Sequence, residues 1–400
     1  MKKLCVVLLI LGVWILPATS YAANKSKPGT VPIYVITNDD GTLHTYASFY
    51  FAGGTQNDPT LTYQNSLNTQ GLGIGGGFFG TPRLTMLPSS NAQCLYVSDA
   101  STGDIAAINI QNLASPVLVG NFSGSTNDNG TTNGIGIVMN QNYLYAGYTL
   151  SNTIATFSVG AGCTLSFLGD ITATPLNGGY IAGMATNGNI LVVTYIDGSI
   201  QSFNTASGIP VSNNDEQNSA GFAQSYYPDS VDITADGHYA IFGDAAVPIT
   251  VEVSDLSSGK LAPTVMYLVS PTTNVIGPGV NSATARLSPD ESLLYVGNSQ
   301  SGYVAAAFFN ASTGKVSPGC TSQLLNNFYN PWAYIGGLQT RDTTGTGNVL
   351  YIAEFGSSIG IVKVTSTGTA CTLTEAAGSP ANDESSPGLL SIQVVPPRPF

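Results

Sequence analysis

The chain has 400 residues and is acidic but sparsely charged, with 11 lysines and arginines, 23 aspartates and glutamates and a formal net charge of −12. Charged residues make up only 8% of the sequence, against about 25% in a typical globular protein. This composition argues against nucleic acid and anionic membrane surfaces as partners, because both repel a negatively charged protein.

The first 22 residues have the pattern of a secretory signal peptide. Two lysines precede an apolar run at residues 4–16, and small residues lead to an expected cleavage after Ala22. The run is shorter than the roughly 20 residues of a spanning helix, although a membrane anchor is the alternative. We expect export to the periplasm or the extracellular space without membrane insertion. A polar arm at residues 23–32 and a single domain at residues 33–400 should follow.

One motif recurs beyond the leader, most clearly at residues 294–315, LYVGNSQSGYVAAAFFNASTGK. It consists of two alternating apolar runs joined by a polar turn, which is typical of a β-hairpin. Seven copies begin at Ile33, Leu95, Leu144, Leu191, Tyr239, Leu294 and Leu350, at spacings of 62, 49, 47, 48, 55 and 56 residues. Regular spacing near 50 residues with only strand signals is typical of a β-propeller.

The residues around each copy predict two further strands. From the second copy onward, a short strand and turn precede the copy, as in SVDITADG at residues 230–237, and another strand follows it, as at residues 116–121. The first copy lacks a preceding strand, and residues 388–395 at the other end of the chain can supply it by pairing with residues 33–37. We therefore predict an all-β, seven-bladed propeller with four antiparallel strands per blade, closed by the C-terminal strand. A six-bladed ring with an extra hairpin is the alternative.

Three segments rich in glycine, asparagine and serine are predicted to be loops between blades, at residues 53–82, 123–133 and 211–225. The first contains GLGIGGGFFG. A phosphate-binding loop needs a strand before it and a helix N-terminus after it. Because Pro82 and a β-strand follow instead, a surface loop is favoured.

Four cysteines lie beyond the leader in a compartment that permits disulfides. Cys163, Cys320 and Cys371 occupy similar positions, each just after a strand pair. Equivalent sites on different blades should be far apart, so we expect no disulfide among these three. The sequence does not fix the pairing of the four, which include Cys94. No CxxC motif or Cys/His cluster has zinc spacing, so neither a metal site nor a cofactor is predicted.

The repeat LYVGNSQSG, with Leu287-Ser288-Pro289-Asp290 and Gly378-Ser379-Pro380, resembles the YVTN type of propeller repeat. Together these motifs resemble the seven-bladed lactonase-like superfamily, which includes 6-phosphogluconolactonase-type and muconate-cycloisomerase-type propellers. The resemblance implies histidines near the starts of inner strands in catalytic members. The corresponding positions here are Thr81-Pro82-Arg83, Tyr227-Pro228-Asp229 and Gly279-Val280-Asn281. Lactonase catalysis is therefore not supported residue by residue, and no catalytic residue is assigned.

The two histidines of the chain add no catalytic pattern. His44 is predicted in the third strand of the first blade, and His238 in the turn between the first two strands of the fifth. Neither neighbourhood offers the serine and carboxylate of a catalytic triad.

Polar and aromatic residues at the end of the second strand of each blade form one candidate group. They are Asn38, Asp99, Tyr148, Tyr195, Asp244, Asn298 and Glu354. Such side chains often cap their own turn, and this interpretation is favoured. The functional alternative makes Asp244 and Glu354 part of a polar or ion site.

Charged residues of the inner strands form a second candidate group. Alignment of neighbouring blades places Asp232 and Arg286 at the same level. A structural ion pair is favoured, because partly buried charges tend to be paired. The alternative is an anion site built from Arg286 with Arg83, since arginine presents a planar fork of donors. Asp229, at the start of an inner strand, is also a candidate.

Aromatic residues in the loops before the fifth and seventh blades form a third group, Tyr226, Tyr227, Phe328, Tyr329, Trp332 and Tyr334. Tyr227 and Trp332 are its candidate ligand contacts, for a sugar or a peptide. Packing of the loops onto the ring is the alternative.

The sequence thus favours an exported propeller acting as a binding or scaffold module, with its ligand on the face formed by the interblade loops. The ligand, whether small molecule, sugar or peptide, and the oligomeric state stay open. A lactone hydrolase or isomerase using Arg286 and nearby carboxylates is the first alternative. A structural protein of the cell envelope is the second.

Overall fold

Each copy of the repeat forms the middle strands of a separate antiparallel sheet. The structure, a computed structural model, describes residues 33–55, 58–73, 82–86, 93–124, 135–274, 283–299, 301–325, 335–343, 347–354, 358–382 and 389–395. The leader and the polar arm lie outside these ranges. The described residues form seven blades.

The first three blades follow the predicted order of strands. The first contains β1 (Ile33–Asp40), β2 (Thr45–Thr55) and β3 (Asp58–Asn68). The second contains β4 (Leu84–Met86), β5 (Cys94–Asp99), β6 (Asp104–Asn109) and β7 (Val117–Ser123). The third contains β8 (Ile135–Met139), β9 (Tyr143–Tyr148), β10 (Thr153–Val159) and β11 (Leu165–Thr172).

Some of the later blades have a divided outer edge. The fourth contains β12 (Ile181–Asn187), β13 (Ile190–Tyr195), β14 (Ser199–Asn204), β15 (Val211–Ser212) and β16 (Gln217–Asn218). The fifth contains β17 (Pro228–Ile233), β18 (Tyr239–Asp244), β19 (Ile249–Asp255) and β20 (Val265–Ser270). The sixth contains β21 (Ala283–Leu287), β22 (Leu293–Asn298), β23 (Tyr303–Asn310), β24 (Lys315–Ser317) and β25 (Gln323–Leu324).

The seventh blade contains β26 (Ile335–Thr343), β27 (Gly347–Glu354), β28 (Ser358–Ser366), β29 (Cys371–Glu375) and β30 (Ala381–Asn382), and the last strand is β31 (Leu389–Val395). Two short 3-10 helices, Ala161–Cys163 and Phe222–Gln224, lie between strands. Within the ranges given above, no helix has the length and apolar character needed to cross a membrane.

The last strand completes the first blade, as predicted. β31 pairs with β1 in antiparallel register, with Val395 opposite Tyr34 and Ile392 opposite Thr37. It therefore takes the inner position that the other blades fill with the strand preceding their repeat copy. Ile392 and Val394 are buried in one cluster with Tyr351 of the seventh blade. The strand thus also packs the seventh blade against the first.

The core lies between neighbouring blades. Apolar side chains form clusters that each join two adjacent blades, and these include clusters joining the seventh blade to the first and the first to the second. In β22, Leu294 and Val296 pack towards the fifth blade, and Leu293 and Tyr295 towards the seventh. Because side chains alternate between the two faces of a strand, the repeat is apolar on both, which explains its unbroken LLYV run.

Two of the predicted loops contribute strands instead. In the segment at residues 53–82, β2 continues to Thr55 and β3 pairs with it as the outer strand of the first blade. The alternating TLTY sequence favours a strand there, although the glycine content of the whole segment suggests a loop. In the segment at residues 211–225, β15 and β16 pair with β14. Residues 74–81 and 125–134 lie outside the described ranges.

The disulfides correct the expectation that Cys163, Cys320 and Cys371 do not pair with one another. Cys320 is bonded to Cys371, and Cys94 to Cys163. The chain after β24 runs to the outer edge of the next blade, where Cys371 donates its backbone N–H to Gly319. Equivalent positions in the repeat therefore meet because one cysteine lies in an outer connection that crosses to the neighbouring blade.

Replacing Cys94 and Cys163 together by alanine is expected to lower the free energy of unfolding by about 2–4 kcal/mol. The bond closes a span of 69 residues and restricts the unfolded chain. Denaturant unfolding of the oxidised proteins would measure the loss. The matched double substitution of Cys320 and Cys371, which close 51 residues, should cost a similar amount. An unchanged midpoint in both would contradict the prediction.

Candidate functional site

The strand order gives the ring two faces. The inner strands begin where the second strands end, at the loop face, which is marked by Arg83, Asp99 and Asp244. The opposite turn face carries the turns between first and second strands, at residues 140–142, 187–189 and 235–238. Ligands of propellers are held by residues at such faces, because the blades themselves are filled by side chains.

The predicted ring of second-strand ends is sealed inside the fold. Asn38, Asp99, Tyr148, Tyr195, Asp244, Asn298 and Glu354 are all at most 1% exposed. Asn298 shows the favoured capping role: its amide oxygen accepts from the N–H of Ser301 at 3.2 Å, and its amide nitrogen donates to the carbonyl of Ala246 in the neighbouring blade at 2.8 Å. In the first blade Asp39, next to Asn38, accepts from the hydroxyl of Ser48 at 2.8 Å.

Glu354 is a carboxyl of this group with a hydrogen-bond partner and a raised pKa. The hydroxyl of Ser358 donates to it at 2.6 Å. Its pKa is raised from 4.5 to about 7, mainly by burial; the Ser358 hydrogen bond opposes this shift and the charge of Glu375 adds to it. Such a pKa would suit a general acid or base. The carboxyl is nevertheless enclosed, so it has no access to a substrate from solvent.

The fifth blade buries three carboxyls together. Asp244 accepts from the hydroxyl of Thr250 at 2.8 Å, and burial, then the charge of Glu252, raises its pKa well above the usual range. Burial, then the charge of Asp244, likewise raises the pKa of Asp229. One oxygen of each aspartate has no partner among the described residues. Burial beside other carboxyls therefore disfavours the charged form of both groups.

Glu252, which the sequence analysis missed, fixes the connection into this blade. Its carboxylate accepts from the backbone N–H groups of Ala220 and Gly221, each at 2.7 Å, and from the hydroxyl of Thr264. A glutamate inside the apolar strand Ile249–Asp255 was the available signal. These bonds give the carboxylate a structural task.

Asp232 and Arg286 form the ion pair that the alignment of inner strands favoured. The Arg286 Nη1 lies 3.4 Å from the Asp232 Oδ1, and the other Asp232 oxygen accepts from the N–H of Leu287 at 3.0 Å. The Arg286 side chain is 25% exposed, and its Nε has no partner among the described residues. The pair joins the fifth and sixth blades and leaves part of the guanidinium unsatisfied.

Arg83 lies apart from this pair. It directly precedes the inner strand of the second blade and donates from Nη1 to the carbonyl of Ile135 in the third blade at 2.7 Å. Arg286 is the fourth of five residues in β21, whereas Arg83 precedes β4, so the two residues lie towards opposite ends of their inner strands. The structure does not bring them together.

The structure describes only some of the aromatic and histidine candidates. Tyr227 is half-buried at the loop face, whereas Trp332 and the other aromatics before the seventh blade lie outside the described residues. His44 is exposed and precedes β2 instead of lying within a strand. His238 lies on the turn face and pairs with Asp236 at 3.1 Å. In the part of the chain that the structure describes, no group of three histidine, cysteine or acidic side chains has metal-binding geometry.

A cavity of about 360 Å³ lies on the turn face, between the turns of the third and fourth blades and Ala235 of the fifth. Its lining consists of Met139, Asn140, Gln141, Asn142, Thr186, Asn187, Gly188, Asn189 and Ala235. None of these side chains is charged. The sequence signal for the cavity is the pair of asparagine-rich turns in MNQNY and TNGNI, which contain no catalytic group.

Two asparagines lock the walls of this cavity. The Asn140 amide oxygen accepts from the N–H groups of Asn142 and Tyr143, and its nitrogen donates to Gly188 of the next blade at 3.0 Å. The Asn187 amide nitrogen donates in turn to the carbonyl of Thr234 at 2.7 Å. The turns of three blades are thereby held in fixed positions.

Comparisons with known proteins identify the fold. No protein-family model matches the chain, and no curated protein matches its sequence. A candidate 6-phosphogluconolactonase from Bacteroides uniformis matches with a TM-score of 0.66 and 14% identity, over 91% of this chain and 99% of that one. A second, from Bacteroides fragilis, matches with a TM-score of 0.64 and 14% identity, over 92% and 100%.

A hypothetical selenium-binding protein from Sulfolobus tokodaii is similar to the same degree, with a TM-score of 0.66 and 9% identity over 92% of this chain and 95% of that one. At such identities the similarities show the fold alone. The described part of the chain is a seven-bladed propeller.

Proposed function

We propose that this protein is an exported propeller that binds a ligand without converting it. The observation that carries the proposal is the turn-face cavity, whose lining offers amides and a hydroxyl but no acid or base. Proton transfer needs a titratable group within reach of the substrate. The carboxyls with raised pKa values, at Asp229, Asp244 and Glu354, are instead sealed inside the blades.

Export is supported by the leader pattern at residues 1–22 and by the two disulfides. Disulfides persist in oxidising compartments and are rare in the cytosol. The acidic, weakly charged surface is compatible with either the periplasm or the extracellular space. A scaffold role in the envelope would use the same rigid ring.

The competing function is lactone hydrolysis at Arg286, whose Nε has no partner among the residues that the structure describes and whose side chain is partly exposed. We expect the purified protein to hydrolyse 6-phosphogluconolactone and simple uncharged lactones no faster than buffer. The assay should include Arg286→Ala and, as a matched arginine away from this pair, Arg83→Ala. Turnover by the wild type that Arg286→Ala alone abolishes would overturn the binding function and establish the hydrolase.

A further inference from the structure

We propose that the turn-face cavity binds an uncharged carbohydrate of one or two sugar units, which rests on the binding function inferred above. Its residues lie on the turn face. The ligand was predicted on the opposite side, at the loop face. The folded chain leaves hydrogen-bonding groups unused at this position.

Three amide side chains of the cavity are available to a ligand. Gln141, Asn142 and Asn189 are exposed, and their side chains form no hydrogen bond within the described part of the chain. Each amide presents two donors and one acceptor group. Adjacent hydroxyls of a sugar ring both donate and accept, so a few amides can satisfy them in pairs.

The charge of the cavity excludes the main alternatives among small ligands. A buried charged group requires a partner of opposite sign, and the lining contains neither cations nor anions. Phosphates and carboxylates would in addition be repelled by a chain with a net charge of −12. An uncharged polar ligand remains.

The form of the site favours a compact ligand over an extended peptide. Peptides are commonly bound by adding a strand to an open sheet edge, whereas these residues lie in turns and at the ends of inner strands. The volume of about 360 Å³ is near the lower end of the range for ligand pockets. Ala235, which is exposed, adds apolar surface for the C–H groups of a sugar.

The site is also prearranged. Asn140 and Asn187 hold the turns of the third, fourth and fifth blades together through Gly188, Thr234 and Ala235. The unused amides therefore project from a fixed frame, and binding does not need to order the turns. Rigid walls lower the entropic cost of binding.

The test is saturation-transfer NMR and calorimetry of the disulfide-bonded protein lacking residues 1–22. The probes are uncharged hexoses, N-acetylhexosamines and their disaccharides. We expect at least one probe to bind. Asn142→Ala and Asn189→Ala should each raise its Kd by about fivefold to tenfold, the effect of losing one hydrogen bond. The control is Gln111→Ala, an exposed amide outside the cavity, which should bind as wild type does.

Two results would overturn the inference. If no probe binds, the carbohydrate class is wrong. If a probe binds equally well to wild type, Asn142→Ala and Asn189→Ala, the site is elsewhere. Neither result affects the binding function itself, which fails only through Arg286-dependent lactone turnover. Circular dichroism of each variant would show that the fold is intact.

Discussion

Replacing Ile392 by aspartate is expected to lower the free energy of unfolding by at least about 5 kcal/mol and so to remove most of the folded population. Truncating a buried isoleucine costs about 2–5 kcal/mol, and burying a carboxylate without a partner adds to that cost. Ile392 is 2% exposed and packs between the seventh and first blades. Its loss would also release β31 from β1. Denaturant unfolding monitored by far-UV circular dichroism would measure the effect.

Gln393→Ala is the matched control in the same strand. The Gln393 side chain is half-buried, and it donates to the carbonyl of the next residue at 3.1 Å. Its removal should therefore change the free energy of unfolding by less than about 1 kcal/mol. If both variants unfold at the wild-type midpoint, β31 does not contribute to closing the ring.

Stability is expected to fall by at least about 3 kcal/mol as pH rises from 5 to 8. Asp229, Asp244 and Glu354 have raised pKa values in the folded protein, mainly through burial. The folded state therefore holds protons that the unfolded chain releases, so their stabilising effect is present at low pH and lost as pH rises through the folded pKa. For Glu354 the window runs from 4.5 to about 7, which corresponds to about 3 kcal/mol.

Carboxyls with lowered pKa values change the free energy of unfolding in the opposite direction and at lower pH. Asp197 accepts hydrogen bonds from Ser199 and from the N–H groups of Gly179 and Asn177, which together lower its pKa below 3.8 despite the opposing effect of burial, the largest single influence. The stability it adds is lost only as pH falls below that value. Stability should consequently be greatest in mildly acidic solution.

Chemical unfolding at several pH values would test this dependence. Glu354→Gln should flatten the curve between pH 5 and 7, because glutamine carries no charge at any pH. Gln111→Ala, which alters an exposed side chain that does not titrate, is the control and should leave the slope unchanged. A wild-type protein that is more stable at pH 8 than at pH 5 would contradict the prediction.

The arrangement of the blades could be predicted from the sequence because the same strand pattern is repeated in each blade. Copies such as that beginning at Leu294 contain apolar residues on both strand faces, and this pattern survives in every blade. The closing strand was found because the first copy lacked a partner. The disulfide between Cys320 and Cys371 was not, since similar positions in a repeat say nothing of where an outer connection runs.

The candidate site was harder to predict from the sequence than the fold, for a different physical reason. Alignment of neighbouring blades of this chain predicted the pair of Asp232 and Arg286, because both residues lie in regular inner strands. It could not show that Asp244 and Glu354 are enclosed, because burial depends on packing from neighbouring blades. Glu252 was overlooked since its partners, at Ala220 and Gly221, lie in a connection with no repeat pattern. The cavity likewise arises between turns that are unremarkable singly.

The pairing of β1 with β31 also sets the order in which the chain can fold. Blades two to seven contain consecutive strands and can form one after another as the chain emerges. The first blade cannot, because its inner strand is the last to be made. Until β31 arrives, β1 presents an open edge of the kind that recruits other strands. Synthesis must therefore reach residue 395 before the first blade has its inner strand.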